Sequence, residues 1–337
     1  MMRFGRSPAV LRLRPGPASV VAGIGLIAAL LAPLGLGNLR IELLTTFLAF
    51  GLVALSLDLI WGFAGILSMG QFAFFGMGAY AVALVSNELV SLGRLSLVIG
   101  IAVGITAAML LGFALSYAFF STQLGELFVL VTIALTIIME RVVVNQTEHL
   151  GGINGILLPY WAVPTNLTLY YFVVLTVVLT VFVGITLVLR SPIGRVLSAI
   201  KVSEERAQFL GYYTKWYKIG AFSVAAGIAA LGGGLYAILT GFVFPGLVGF
   251  EYSFDALVWV VFGGVGTLYG ALLGTLTVNF ARFYASDILI EYWLLVMGSL
   301  FIAIVVFFPD GMVGIGRAVA RKARPIARSW SRRLKEE

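Results

Sequence analysis

The chain has no cysteine, and its one histidine is His149. Without thiols there are no disulfides, no thiolate metal sites and no cysteine nucleophile. A lone histidine leaves His-based zinc sites and a conventional Ser-His-Asp triad without their parts. Charge is scarce as well: 11% of the 337 residues are Asp, Glu, Lys or Arg, where soluble domains carry about 25%. No Walker A loop (Gly-x-x-x-x-Gly-Lys followed by Ser or Thr) occurs, so ATP that drives this chain has to be bound by another subunit. These absences exclude a soluble enzyme and a disordered chain, and the scattered acids form no catalytic constellation.

What is present is apolar. Hydrophobic residues make up 61% of the chain and the mean hydropathy is +1.05, enough for about ten membrane spans of ~20 residues each. The net charge of +7 sits at the ends. Arg3, Arg6, Arg12 and Arg14 give +4 at the N-terminus; residues 317–337 give +6, which leaves the interior at −3. Basic flanks beside apolar runs read as cytoplasmic anchors that favour anionic lipid, not as a nucleic-acid surface.

Apolar segments fall at about 18–37, 42–60, 72–90, 95–119, 126–144, 168–189, 218–240, 253–265, 268–284 and 288–308. The expected fold is therefore all-α: a polytopic membrane protein of about ten transmembrane helices, some short or broken, since spanning backbone must satisfy its own polar groups. The Lys/Arg-rich stretch 190–218 belongs on the cytoplasmic side, and with the N-terminus inside, six spans return the chain there. Four more spans put the basic C-terminus inside. Arg40 and Arg94 in outer turns count weakly against this order. The domain reading is a basic N-terminus (1–17), a transmembrane domain (18–316) with a cytoplasmic loop at about 190–217, and a basic tail (317–337). The polar, glycine-rich stretch 140–167 does not read as a span; it is expected outside, as an ordinary loop or the rim of a mouth.

Three features stand out. From Gly62 to Tyr80 an apolar run is broken by Gly62, Gly65, Gly70, Gly76 and Gly78 and by the polar Ser68 and Gln71. Small residues permit close helix approach, and interrupted helices near the midplane commonly build transport paths; the run fits either. Gly266, Gly270 and Gly274 are spaced four apart, as a ladder on one helix face would be. The run around them fails as a dinucleotide loop, because Tyr269 stands at the third glycine position. In Ser191–Gly211, Ser203 followed by Glu204 and Glu205 reads as an N-cap with acids in the first turn, and Gly211 as a helix stop. Two short amphipathic helices there would form a docking surface for a soluble partner, or an ordinary interfacial loop. Asn279 is the strongly polar residue well inside a late span.

Together these stretches, with Lys218–Tyr236 and Pro309–Gly314, resemble the permease subunits of ABC importers for branched-chain amino acids and their relatives, over roughly residues 42–316. Glu205-Arg206-Ala207 and Gly211 resemble that family's Glu-Ala-Ala and glycine pattern, with Arg206 departing at the middle position. Arg206–Tyr212, Ala256–Val260, Gly266–Leu268, Val278-Asn279 and Glu291–Leu294 look more narrowly like the urea-importer branch. Val265 stands where that branch usually has Arg, Arg282 replaces a usual Lys, and Phe-Pro is missing before Glu291.

The resemblance implies an inner-membrane, multi-pass permease with both termini cytoplasmic and no enzymatic activity or cofactor of its own. Its partners would be a second related permease, two cytoplasmic ATPases holding ATP and Mg, an external solute-binding protein and membrane lipid, with no nucleic acid. Glu204, Glu205, Ala207 and Gly211 would couple to the ATPase; Ser68, Gln71 and Asn279 are the candidate path residues; Gly70, Gly76, Gly266, Gly270 and Gly274 would pack helices. Urea or a short amide is the leading solute and a branched-chain amino acid the alternative. An ion-coupled secondary transporter or channel is the more distant alternative.

Overall fold

The computed structural model describes residues 37–122 and 127–288, with isolated positions 33, 35, 298, 299, 311, 312 and 314. Apart from these positions, the expected spans 18–37 and 288–308 and both basic tails lie outside the described residues. The long elements in order are α1 (Asn38–Leu57), which runs on as a π-helical turn over Asp58–Phe63, α2 (Gln71–Glu88), α3 (Arg94–Phe120) and α4 (Phe128–Asn145). A short α5 (Thr147–Leu150) and strand β1 (Ile156–Leu157) precede α6 (Leu167–Arg190). Then come α7 (Pro192–Val202), α8 (Glu204–Phe209), α9 (Thr214–Thr240), β2 (Phe242–Val243), α10 (Phe250–Gly263) and α11 (Leu268–Ile288).

Local chemistry sets several boundaries. The Asn166 side chain caps α6 by accepting the Leu169 amide at 3.0 Å, the geometry that favours Asn before a first turn. Pro192 opens α7, where its missing N–H costs nothing. Gly241, at φ +66, closes α9 in the left-handed conformation that only glycine adopts cheaply. Within α6, Thr176, Thr180 and Thr186 donate to carbonyls four residues back, so these hydroxyls are satisfied within their own helix.

Contacts sort the helix ends into two groups. At one end β1 pairs antiparallel with β2, Ile156 opposite Val243, and Asn87 at the end of α2 donates to Leu157 O. At the other end Phe120 of α3 meets Phe128 of α4, and Lys218 of α9 lies over Phe120. The long helices thus alternate in direction, with the Lys/Arg-rich segment α7–α8 at one end and the glycine-rich 151–166 stretch at the other.

Among the described residues, five helical segments are long and apolar enough to cross a membrane, 38–63, 94–120, 128–145, 167–190 and 214–240, or six if the bent pair described next counts as one span. The expected separate spans at 253–265 and 268–284 form one bent element instead, α10 and α11 meeting at 117°. The 14 residues of α10 rise only about 21 Å, short of the ~30 Å hydrocarbon core. Apolar content alone does not reveal that fold-back.

The centre is built by small residues. Ser96, Gly100, Gly104, Ala108, Gly112 and Ser116, every fourth residue of α3, are buried. Gly104 faces Gly78 of α2, where an added Cβ would lie 2.9 Å from the Gly78 Cα. Gly112 faces Ala226 of α9 as closely, and a Cβ on Gly78 would lie 1.9 Å from Ala230 O. With backbones this near, dispersion contacts replace the hydrophobic drive that lipid cannot supply. Phe50 of α1 stacks on Trp259 of α10 at 5.4 Å and on Tyr236 of α9 at 5.6 Å.

Candidate functional site

Between the π turn and α2 the chain is irregular over 65–70, and Gly65 takes φ +76. Irregular backbone at this depth has to be satisfied by protein. The Met69 amide donates to Thr132 Oγ1 of α4 at 3.0 Å, Gly70 N to Ser68 Oγ at 3.3 Å, and Phe72 N to Ser253 Oγ of α10 at 3.2 Å. The Met69, Gly70 and Phe72 amides around the start of α2 are therefore each held by a hydroxyl.

Ser68 and Gln71 are both buried in this break. The Ser56 hydroxyl of α1 shares its proton between Val53 O at 2.7 Å and Gln71 Oε1 at 3.2 Å. Gln71 Nε2 is a buried donor without a hydrogen-bond partner; among the described residues the acceptor Asp58 Oδ2 and the Tyr80 hydroxyl are likewise buried without one. Asn279, the third candidate, is buried on α11 but donates to Thr275 O of its own helix at 2.8 Å. The structure thus joins Ser68 and Gln71 in one segment and gives Asn279 a separate, local bond.

The glycines divide similarly. A Cβ on Gly70 would lie 2.7 Å from Thr132 O, and one on Gly76 would press on Val248 at 3.0 Å. Gly270 and Gly274 lie against the other arm, where Cβ atoms would fall 2.6 Å from Gly263 O and 2.1 Å from Trp259 O. Gly266 differs from the ladder expectation: it sits in the bend at φ +80, before α11 begins. A left-handed residue cannot belong to the same helical face, so the ladder is Gly270–Gly274 alone.

At the bend, Asp58 Oδ1 accepts the Gly266 amide at 2.6 Å. Across the two arms Arg282 pairs with Asp255 at 2.5 Å. Neither pairing was legible from spacing.

In the Lys/Arg-rich segment, Ser203 accepts the Arg206 amide at 3.4 Å, capping α8, and Gly211 ends it at φ +89. Ala207 is buried against Val196 and Ile200 of α7, with Tyr217 beside them. Glu204 turns inward, pairing with Lys218 at 2.5 Å and accepting Thr214 Oγ1 at 2.9 Å. Glu205, Phe209 and Leu210 are exposed. Leu210, just past the end of α8 at Phe209, is 75% exposed and does not join the buried face of Ala207.

Among the described residues, one cavity of about 260 Å³ opens at the break and another of similar volume lies along α2 beyond it. One lies between Gly65, Leu67, Phe128, Lys201, Glu204 and Lys218. The other is bounded by Met77, Tyr80, Ala81, Leu84, Met139 and Val143, and is almost wholly apolar.

Apolar helices, a break braced by neighbouring side chains and a folded-back pair define a polytopic membrane transport protein. The chain belongs to the family of the branched-chain amino acid transport system permease component, which matches residues 39–305. It is 28% identical over 322 residues to the high-affinity branched-chain amino acid transport system permease protein LivM of Escherichia coli (strain K12), covering 87% of this chain and 74% of LivM. The probable branched-chain amino acid transport permease protein LivM of Methanocaldococcus jannaschii is 26% identical over 335 residues, covering 82% and 94%. The permease protein LivH of Escherichia coli (strain K12) is 23% identical over 285 residues, covering 79% and 91%. No solved structure matches the chain. These names give the urea expectation no support and favour the alternative held beside it.

Proposed function

We propose that this chain is one of two permease subunits lining the path of an ATP-driven importer for a branched-chain amino acid. The observation that carries this reading is the family match over residues 39–305, which takes in the break at 65–70, the α7–α8 segment and the bent pair together. The α7–α8 end faces the cytoplasm of an inner membrane, in keeping with its Lys and Arg residues. There Glu205 and Gly211, held over the buried Ala207, present the surface that the ATPases grip, and those subunits bind ATP and Mg. A second related permease completes the path, and an external binding protein delivers solute at the 151–166 end.

Solute chemistry supports the amino acid over urea. The cavity beside Met77 and Tyr80 offers an aliphatic side chain an apolar surround and gives a small diamide almost nothing to bond. The unpartnered Gln71 amide supplies a donor beside the break, and Asp255 and Arg282 bring both signs of charge onto one bent element. The test is uptake of labelled leucine and labelled urea by cells carrying the whole transport locus, with and without this chain. Loss of leucine uptake alone is expected; loss of urea uptake alone overturns the solute assignment.

A further inference from the structure

Three remote segments converge at the α7–α8 end. The first is the π turn 58–63, the second the end of α7, and the third the bend between α10 and α11. The last carbonyls of a helix lack intrahelical partners. One of these, Gly62 O, receives the Lys201 Nζ at 2.5 Å, a cation at a helix C-terminus, where the macrodipole favours it. Gly62 in turn sits on the bend: an added Cβ would lie 2.7 Å from the Gly266 amide nitrogen and 2.3 Å from Asp58 Oδ1. Asp58, fully buried, holds that same amide. Gly65 is pressed on α7 as well, its would-be Cβ 3.3 Å from the Lys201 Cα. Gly311 closes the bend from its other side, against Gly264.

The contacts therefore run without a gap from Lys201 to Gly62, and from Gly62 and Asp58 to Gly266. Lys201 is three residues from Glu204, on the segment whose partner is in the cytoplasm. It also lines the cavity shared with Gly65, Glu204 and Lys218, so its ammonium has space for a second position. Both neighbours in this chain, the π turn and the left-handed bend, are irregular backbone, where a small displacement need not break a helix ladder.

We propose that Lys201 is the positioning residue that carries displacement of the α7–α8 segment to the α10–α11 bend, through the Gly62 carbonyl and the Asp58-held Gly266 amide. This rests on the reading of α7–α8 as the ATPase dock. A coupling element must make different contacts in its two states. Here the contact that changes is Lys201 Nζ to Gly62 O, and its loss leaves the bend without its link to the dock.

The test uses the complete transport complex in proteoliposomes and reads leucine uptake per ATP hydrolysed. Lys201→Met keeps the length of the side chain and removes its donor and charge; Lys201→Arg keeps both. Lys201→Met should leave the complex assembled and ATP hydrolysis within about twofold of wild type, with uptake per ATP at least tenfold lower. Lys201→Arg should recover at least half. Wild-type uptake per ATP in Lys201→Met overturns the proposal. Equal loss of uptake and hydrolysis in both variants also overturns it, since a merely structural lysine would do that. If the wild-type chain itself fails to retain the ATPase, the docking reading fails first, and separately.

Discussion

Asp58 Oδ1 and the Gly266 amide are 2.6 Å apart across 208 residues of sequence, which ties the end of the first described span to the bend of the α10–α11 pair. The acceptor matters here more than the charge. Asp58→Asn keeps an oxygen in place, whereas Asp58→Ala strands a buried N–H, at a cost of about 1–3 kcal/mol. In thermal unfolding in detergent, the Ala variant should melt clearly below the Asn variant. Equal melting temperatures would show that the amide finds another acceptor.

The α2–α9 contact makes a sharper packing prediction. Gly78→Ala and Gly233→Ala each set a methyl about on top of a facing carbonyl, 1.9 Å from Ala230 O and 1.8 Å from Phe75 O. Neither neighbour is a flexible side-chain tip, so backbones must part, at a cost of about 1–3 kcal/mol or more. Gly184→Ala on α6 meets nothing within 4 Å and should melt at or slightly above the wild-type temperature, as Ala in a helix is favoured by about 0.5–1 kcal/mol. Similar melting for all three would contradict the described α2–α9 approach.

On the docking segment, Glu205 is exposed while Gly211 holds φ +89 and donates its amide to Gln208 O at 2.8 Å. Glu205→Lys should leave the melting temperature within about 0.5 kcal/mol-equivalent of wild type and yet release the ATPase on detergent pull-down. Gly211→Pro forbids the left-handed turn and removes the amide donor, so it should release the ATPase through a misdirected α8–α9 link. Full retention and full uptake in both variants would defeat the docking assignment.

The apolar cavity gives a prediction of its own. Leu84→Phe enlarges a side chain that lines the cavity beside Met77 and Tyr80 without adding a polar group. If an aliphatic solute passes there, leucine uptake should fall at least fivefold, while basal ATP hydrolysis and complex assembly stay unchanged. Unaltered uptake with a narrowed cavity would remove this chamber from the path.

How much of this was legible beforehand differs by element. The apolar runs announced α1, α3, α4, α6 and α9 within a few residues, because a span needs a long apolar stretch whatever its neighbours are. Ser203 and Gly211 were readable as helix start and stop, since caps are local chemistry. The glycine-broken stretch around Ser68 and Gln71 also showed where a helix would be interrupted. The every-fourth-residue stripe from Ser96 to Ser116 is equally plain in the letters, but only its burial against α2 and α9 marks it as a packing face.

Sequence alone therefore determined that this is a helical membrane chain with a basic α7–α8 segment at one end, because burial in lipid and helix capping act over a few residues at a time. Only the tertiary structure decided that α10 and α11 fold back as one bent pair. Tertiary contacts also turned Glu204 inward to Lys218, sent the Met69 and Phe72 amides to Thr132 and Ser253, and brought Lys201 onto the Gly62 carbonyl beside Gly266. Most of those pairings join groups far apart in the chain, and all depend on which donor or acceptor packing leaves nearest.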